Sequence, residues 1–242
     1  MGLYEIINIK EVGLMNNIVI GIEGLVGSGK TSICKELLKY IPNSIILHGG
    51  NFYRVIIFAL LNSSKNIDLN NLKNNVQNID IKELMDKLKV EFKIENRETV
   101  FYVDSKKIEE EILQSTENSM AVSIAGGVAD NAKFYDFARK LIDKYKENYN
   151  IILSGRDLMN IYPDLDYHLF ITADLEERVR RKMIQYGSSS DYDQIKSNII
   201  KRDELQEKAG YYKIYDKTIK IDVTNCKSIE ESTKEVLKHI KY

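Results

Sequence analysis

The chain has 242 residues, with 35 Lys and Arg side chains against 36 Asp and Glu, for a formal net charge of −1. This length suits one α/β domain that carries an insertion, with a core large enough to be well buried. The balanced charge provides no long-range field that would gather nucleic acid or an anionic membrane, so we expect a small-molecule partner held by a local site.

Two further features of the composition concern the compartment. Cys34 and Cys226 are too far apart for a metal or redox pair and too few for a secreted disulfide framework, which favours a reducing cytoplasm. No segment reaches the run of about 18 apolar residues that suggests a membrane span. We therefore expect a cytoplasmic protein that binds neither membrane nor nucleic acid, and we expect it to be a monomer.

The first part of the chain alternates strand and helix patterns. Residues 1–16 precede the first strand pattern and form an N-terminal extension to which we assign no function. The run NIVIGIEG (17–24) predicts a strand buried on both faces, and KTSICKELLKY (30–40) predicts a helix. SIILH (44–48) and NFYRVIIFALL (51–61) repeat that order, so this start indicates a parallel sheet with right-handed crossovers.

The pattern changes in the middle of the chain. The segment KVEFKIENRETVFYVD (89–104) alternates on both sides of ENRE, which predicts a β-hairpin between the parallel-sheet elements. We therefore interpret 63–131 as an inserted lobe and assign 17–62 and 132–242 to the core. In the second core segment, strand patterns recur in NIILS, DYHLFITA and TIKIDVTN, and the last two enclose two helical stretches.

A glycine-rich turn joins the first strand to the first helix. The stretch GLVGSGKT (24–31) has the spacing G-x-x-x-x-G-K-[ST], whose glycines let backbone N–H groups face a phosphate at the positive end of the helix dipole. The Lys30 ammonium would reach the β- and γ-phosphates of a nucleoside triphosphate, and the Thr31 hydroxyl would ligate Mg²⁺. The alternative is a turn that merely joins strand to helix. The predicted ATP-binding residues are Gly24, Gly27, Ser28, Gly29, Lys30, Thr31 and Ser32.

Candidate acceptor residues follow the second strand in HGGNFYR (48–54). Ligands of open α/β sheets bind beyond the carboxyl ends of the strands, so Gly50, Tyr53 and Arg54 could face the cleft. Arg54 offers a planar fork that suits a phosphate. The alternative is an arginine whose charge extends to solvent from an otherwise apolar helix.

Arg156 and Asp157 follow a later strand, in SGRD, at the same edge of the sheet. Arg156 could bridge the donor and acceptor phosphates, and Asp157 could organise the water shell of Mg²⁺. The alternative is an Arg–Asp ion pair that closes a loop. Glu23, just before Gly24, is another acid near the expected metal.

A basic helix face lies in EERVRRK, where Arg178 is three residues from Arg181 and four from Lys182. Either this face is solvated, or it belongs to a lid that also carries Arg202 and closes cations over the transferring phosphoryl group. The three histidines are scattered and suggest no metal cluster, and we interpret His168 as a strand residue.

Together these motifs resemble the nucleoside monophosphate kinases, and more closely the bacterial cytidylate kinases. The resemblance spans 17–240 and rests on IEGLVGSGKTS, GGNFYR, VDSKKIEEEI with its hairpin, GRD followed by PD, ITADLEERVRRK, and KRD. It implies a P-loop three-layer α/β sandwich with a central parallel sheet. It also implies that 63–131 is a lobe for the nucleoside monophosphate and that a helical lid lies near 178–208. The implied reaction transfers the γ-phosphoryl group of ATP, with Mg²⁺, to CMP or dCMP.

The departures from this family pattern lie on the acceptor side. His48 and Gly49 replace the family's Asp followed by Ser or Thr. Other family positions, several of which contact the acceptor, fall on Leu113, Val122 (beside Ser123), Asn131, Gln206 and Ala209.

Three hypotheses follow. The first is a nucleoside monophosphate kinase in which Lys30, Arg156, Arg178 and Arg181 neutralise charge and Arg54 and Arg202 hold the acceptor. The second is a P-loop kinase that phosphorylates a hydroxyl of a small metabolite or antibiotic, for which Asp157 or Glu23 would act as base. The third is a module that uses ATP only to switch conformation.

Overall fold

A computed structural model describes residues 17–62, 81–113, 115, 132–187 and 191–241. Residues 1–16, 63–80, 114, 116–131, 188–190 and 242, which include Val122, Ser123 and Asn131, lie outside the described residues. The strands of the described residues are β1 (Val19–Gly24), β2 (Ser44–His48), β3 (Val90–Glu95), β4 (Glu98–Val103), β5 (Lys106–Ile108), β6 (Asn150–Ser154), β7 (Tyr167–Thr172) and β8 (Thr218–Asp222).

The helices of the described residues alternate with these strands in the core. They are α1 (Lys30–Leu37), α2 (Gly49–Leu61), α3 (Ile81–Lys87), α4 (Glu110–Leu113), α5 (Ala132–Lys146), α6 (Leu158–Ile161), α7 (Leu175–Tyr186), α8 (Tyr192–Lys208) and α9 (Ile229–Leu237). Among the described helices, none combines the length and the apolar character needed to cross a membrane.

The described strands form one sheet in the order β3-β4-β2-β6-β1-β7-β8, and β5 pairs with β4. The segment β2-β6-β1-β7-β8 is parallel throughout. This confirms the predicted central parallel sheet. Its inner strands are buried on both faces, which explains why their sequences are continuous apolar runs rather than alternating ones.

Two apolar layers cover the two faces of the sheet. On one face, Ile20 and Ile22 of β1 pack in a cluster with Ile33 of α1 and Val236 of α9. On the other face, Val19 belongs to a cluster formed with α5 and α6. Successive strand side chains point to opposite faces, and each fully buried Ile or Leu contributes about 2 kcal/mol. The sandwich therefore has three layers, as the family resemblance implied.

The predicted hairpin is confirmed as β3 and β4. Its turn residues Asn96 and Arg97 have φ of 48° and 69°, as in the two-residue turns that match the twist of a hairpin. The β4 strand also pairs with β2, through Ile46 and Glu98, so the hairpin continues the main sheet. The role of 63–131 as an acceptor-binding lobe stays a prediction.

Candidate active site

The candidate site lies where the parallel strands end. The glycine turn follows β1, the HGGNFYR segment follows β2, and the SGRD segment follows β6, which is the neighbour of both. Because the strands are parallel, these three segments meet at one edge of the sheet.

The glycine turn requires its glycines. Gly24, Gly27 and Gly29 have φ of 146°, 79° and 95°, and a Cβ on Gly24 would lie 2.1 Å from the Ile171 carbonyl oxygen. Helix α1 begins directly after Gly29, so its N-terminal N–H groups open toward the turn. The Ser28 hydroxyl is buried, and it has no hydrogen-bond partner among the described residues. Such a cradle fits a polyanion that brings its own acceptor oxygens.

Lys30 lies inside the turn. Its Nζ donates hydrogen bonds to the carbonyl oxygens of Gly24, at 2.8 Å, and Leu25, at 2.9 Å. Burial, and next the charge of Arg156, hold the pKa of Lys30 well below its ordinary value. A phosphate at this position would relieve both effects, since it supplies the negative charge that a buried ammonium lacks.

Arg156 and Asp157 are both at the end of β6 but have different surroundings. Arg156 Nη1 donates to the Gly24 carbonyl at 3.3 Å, so its guanidinium borders the glycine turn. Asp157 has a φ of 55° and accepts hydrogen bonds from the Tyr135 hydroxyl and the Asn160 amide, each at 2.7 Å. Both residues are described, and they form no ion pair with each other, so the ion-pair alternative is wrong.

Arg54 of α2, a predicted acceptor residue, donates from Nη1 to the Leu113 carbonyl at 2.9 Å. Burial, and next the charges of Arg202 and Arg156, lower the pKa of Arg54 to about 10. Gly50 is exposed, and Tyr53 packs partly against the apolar cluster around Phe52. The charges of Arg156 and Arg202 therefore act on Arg54, and Tyr53 stays a predicted acceptor contact.

Arg202 of α8 completes a cation cluster, which we define as Lys30, Arg54, Arg156 and Arg202. Arg202 is exposed, and within the described parts of the chain it has no hydrogen bond or ion pair. Its charge helps to lower the pKa values of the other three members, although burial is the largest cause for each. Asp203 and Glu110 offset part of this field. The cluster brings together positive charge from α1, α2, α8 and the end of β6.

Arg178 and Arg181, the two arginines of the predicted lid, point inward. Arg178 is 7% exposed, and its Nη1 donates to the Val26 carbonyl at 3.0 Å and to Asp203. Arg181 donates from Nη1 to the Ser28 carbonyl at 3.0 Å and from Nη2 to the Val223 carbonyl at 2.7 Å. The solvated-face alternative is therefore wrong for both residues. Each one bonds helix α7 to the glycine turn.

The sequence did not reveal the roles of Asp203 and Tyr212. Asp203 Oδ1 accepts from the Val26 N–H at 3.1 Å and from the Tyr212 hydroxyl at 2.6 Å. The Arg156 guanidinium carbon lies 5.9 Å from the centre of the Tyr212 ring. The KRD motif pointed to Asp203, but nothing in the local pattern marked Tyr212.

Glu23 and His168 form a buried pair beneath the site. Glu23 is 3% exposed and accepts the Leu158 N–H at 2.6 Å, and its Oε1 lies 3.3 Å from His168 Nε2. His168 is a strand residue of β7, as expected. The Glu23 carboxylate therefore holds the segment after β6 in place through its hydrogen bond with the Leu158 N–H.

The chain is similar to known proteins over most of its length. The family model described as cytidylate kinase matches residues 20–242. The chain belongs to the cytidylate kinase family. The cytidylate kinase of Clostridioides difficile (strain 630) is 31% identical over 236 residues, covering 93% of this chain and 99% of that protein. The cytidylate kinase of Caldicellulosiruptor saccharolyticus is 30% identical over 233 residues, covering 92% and 95%.

The protein is therefore a phosphotransferase of the nucleoside monophosphate kinase type, and its family implies ATP as the donor. The departures from the cytidylate kinase pattern have defined places in the structure. His48 is the last residue of β2, and its Nε2 lies 3.0 Å from Glu98 Oε2. A carboxylate of the hairpin therefore lies beside a position that differs from the family pattern. Leu113 is buried and accepts from Arg54 through its carbonyl. Gln206 lies on α8 one turn beyond Arg202, and Ala209 caps that helix.

Proposed function

We propose that the protein transfers the γ-phosphoryl group of ATP to a (d)CMP-like nucleotide. The observation that supports this most is the cation cluster, in which Arg54 and Arg202 extend positive charge from the glycine turn toward the acceptor side. A single triphosphate needs only the turn and Lys30. The additional arginines suit a second phosphate group held against the first.

The donor half of the site would hold ATP through the backbone of the glycine turn. The N–H groups at the start of α1 face the phosphates, Ser28 and Ser32 add hydroxyls, and Lys30 contacts the β- and γ-phosphates. Arg178 and Arg181 act on this half mainly by fixing the turn, since their guanidinium groups bond its carbonyl oxygens. Arg156 stands between the two halves.

The chemistry needs no general base. A phosphate monoester has a second pKa of about 6, so the acceptor oxygen is already an anion at neutral pH. Catalysis then consists of bringing two anions into line and offsetting their repulsion, which is the work of Lys30, Arg156 and Arg202. Arg54 would grip the acceptor phosphate.

The residues fit a magnesium ion held largely by phosphate and water. Thr31 is exposed on the first turn of α1, and its hydroxyl is a suitable oxygen ligand. Within the described ranges, no group of three or more His, Cys, Asp or Glu side chains is placed to hold a metal. We propose Thr31 as the direct ligand and Asp157 as a contact to the water shell. The ion would neutralise charge on the transferring phosphoryl group.

The hydroxyl-kinase alternative is less well supported. It requires a carboxylate free to accept a proton from the acceptor. Glu23 is buried and bonded to the Leu158 N–H, while both oxygens of Asp157 already accept hydrogen bonds. A kinase that acts on an already ionised phosphate avoids this requirement. We further propose that the protein works as a cytoplasmic monomer on free nucleotides and binds neither nucleic acid nor membrane.

A coupled assay of ADP release tests the proposal. The panel would contain CMP, dCMP, UMP, AMP, GMP and dTMP, together with small hydroxyl acceptors. We expect turnover with the pyrimidine nucleotides CMP and dCMP above the others. Turnover only with a hydroxyl acceptor would overturn the proposal.

A further inference from the structure

A closed set of contacts connects the glycine turn to Arg156 through the lid. It begins at the Val26 N–H, which donates to Asp203, and continues to the Tyr212 hydroxyl, which donates to the same carboxylate oxygen at 2.6 Å. The Tyr212 ring then lies 5.9 Å from the guanidinium carbon of Arg156. Arg156 itself donates to the Gly24 carbonyl, two residues before Val26. The path therefore leaves the glycine turn and returns to it.

Tyr212 is fixed at both of its ends. Phe170 of β7 packs edge-on against its ring, with the ring centres 5.7 Å apart. The hydroxyl lies 2.6 Å from Asp203 Oδ1 and 2.9 Å from Gln206 Oε1, and a carboxylate is a stronger acceptor than an amide. Burial, and next the bond to Asp203, raise the pKa of Tyr212, so the hydroxyl keeps its proton and remains a donor.

Arg156 depends on this ring for its orientation. Among the described residues it donates one hydrogen bond, at 3.3 Å to Gly24, and it has no ion-pair partner. A guanidinium held by one long hydrogen bond can turn, whereas a ring face beside it restricts the plane that it adopts. The Tyr212 ring is thus the main side-chain contact that sets the direction of Arg156.

We propose that Tyr212 is a positioning residue for Arg156, and that Asp203 fixes Tyr212 relative to the glycine turn. Arg156 is thereby aligned with the phosphates whenever the lid is bonded to Val26. This inference rests on the proposed function, because it gives Arg156 its task between donor and acceptor.

A double-mutant cycle tests the inference. The proteins are the unaltered chain, Tyr212→Phe, Arg156→Lys and the double variant, each assayed for kcat and for both KM values. Tyr212→Phe keeps the ring but removes the bond to Asp203, and we expect about a fivefold loss in kcat, equivalent to one ordinary hydrogen bond, with both KM values nearly unchanged. Arg156→Lys should lose about a hundredfold. If Tyr212 acts through Arg156, the double variant loses no more than Arg156→Lys alone.

The matched control is Tyr167→Phe, which removes a tyrosine hydroxyl that donates to the Lys241 carbonyl at the opposite end of β7. Its kcat should equal that of the unaltered chain. Multiplied losses in the double variant would overturn the inference, because Tyr212 would then act independently of Arg156. The ATP affinity of the same four proteins is also measured, by calorimetry. If the unaltered chain turned over no nucleotide, the proposed function would fail, while coupling or additivity in ATP affinity would still decide the role of Tyr212.

Discussion

The Asp203 carboxylate accepts a hydrogen bond from the Val26 N–H at 3.1 Å, which bonds helix α8 directly to the glycine turn. The carbonyl oxygen of Val26 also accepts a hydrogen bond, from Arg178 of α7 at 3.0 Å. Arg178 and Asp203 also pair with each other. Helices α7 and α8, the predicted lid, therefore both hold the backbone of one residue of the glycine turn.

The first prediction compares the stability effects of a buried arginine, Arg178 of α7, and an exposed one, Arg202 of α8. Arg178→Ala leaves the Asp203 carboxylate, which is only 19% exposed, without its ion-pair partner, so we expect a loss of about 3 kcal/mol in the free energy of unfolding. Arg202→Ala removes an exposed cation and should leave the free energy of unfolding within about 0.5 kcal/mol. Urea unfolding of both variants measures the difference. Equal stability of the two variants would show that the Arg178–Asp203 pair does not support the fold.

The second prediction concerns the acceptor. Arg54→Ala should raise the KM for CMP by tenfold or more, about 1.4 kcal/mol of binding, while the KM for ATP changes by less than about twofold. The reason is that Arg54 lies on α2, outside the glycine turn, where we propose that the acceptor phosphate binds. Steady-state kinetics with each substrate varied in turn provide the measurement. An unchanged KM for CMP would remove Arg54 from the acceptor site.

The third prediction concerns the hairpin. The Arg97 guanidinium donates to the carbonyl oxygens of Leu38, Ile41 and Ser44 and to the Ser44 hydroxyl, at 2.7 to 3.1 Å. Arg97→Ala should therefore lower the free energy of unfolding by about 2 kcal/mol. Neither KM should change, because Arg97 contacts residues at the start of β2 and the candidate site lies at the other end of that strand. The control is Lys93→Ala, an exposed hairpin cation whose contact is a ring at 4.6 Å. A loss no larger than that of the control would mean that the hairpin is not held by Arg97.

The fourth prediction follows from the lowered pKa of Lys30. In the free protein Lys30 loses its proton below its ordinary pKa of 10.5, while bound triphosphate favours the charged form and raises the pKa again. Between these two pKa values, ATP binding must take up a proton, and affinity falls as pH rises through the lower one. Calorimetry at several pH values from about 8 to 10, each in two buffers of different ionisation enthalpy, measures this uptake, since phosphate groups with a second pKa of about 6 are then fully ionised.

The control for this measurement is Lys30→Arg, because a guanidinium keeps its proton to a higher pH than an ammonium group does. Its ATP binding should take up fewer protons than that of the unaltered chain. Equal proton uptake by Lys30→Arg and the unaltered chain would assign the proton to another group.

Much of the fold was predictable from local patterns. The continuous apolar runs around Ile20, Ile152 and Leu169 indicated strands buried on both faces, and the sheet order confirms them. The hairpin was visible because Phe92, Ile94, Val100 and Tyr102 lie on alternating positions around a polar turn. That β4 would pair with β2 was not predictable, because a pairing between distant strands leaves no periodic signal in either one.

The site was predictable only in part. The glycine spacing marked the donor side, since each of its residue types has a fixed physical purpose. Helical spacing placed Arg178 and Arg181 on one face but could not tell whether that face meets solvent or the glycine turn. Tyr212 could not be predicted as a site residue, because its role depends on its contacts with Asp203 and Arg156. Tertiary packing sets those contacts.

Transfer of labelled phosphate tests the central claim most directly. ATP labelled at the γ-phosphorus is incubated with CMP and Mg²⁺, and the products of the unaltered chain and of Lys30→Ala are separated. We predict that the label appears in CDP with the unaltered chain, and that Lys30→Ala forms CDP at least a hundredfold more slowly, as expected when a main charge contact to the phosphates is lost. Label released only as inorganic phosphate, or equal CDP formation by both proteins, would contradict the account.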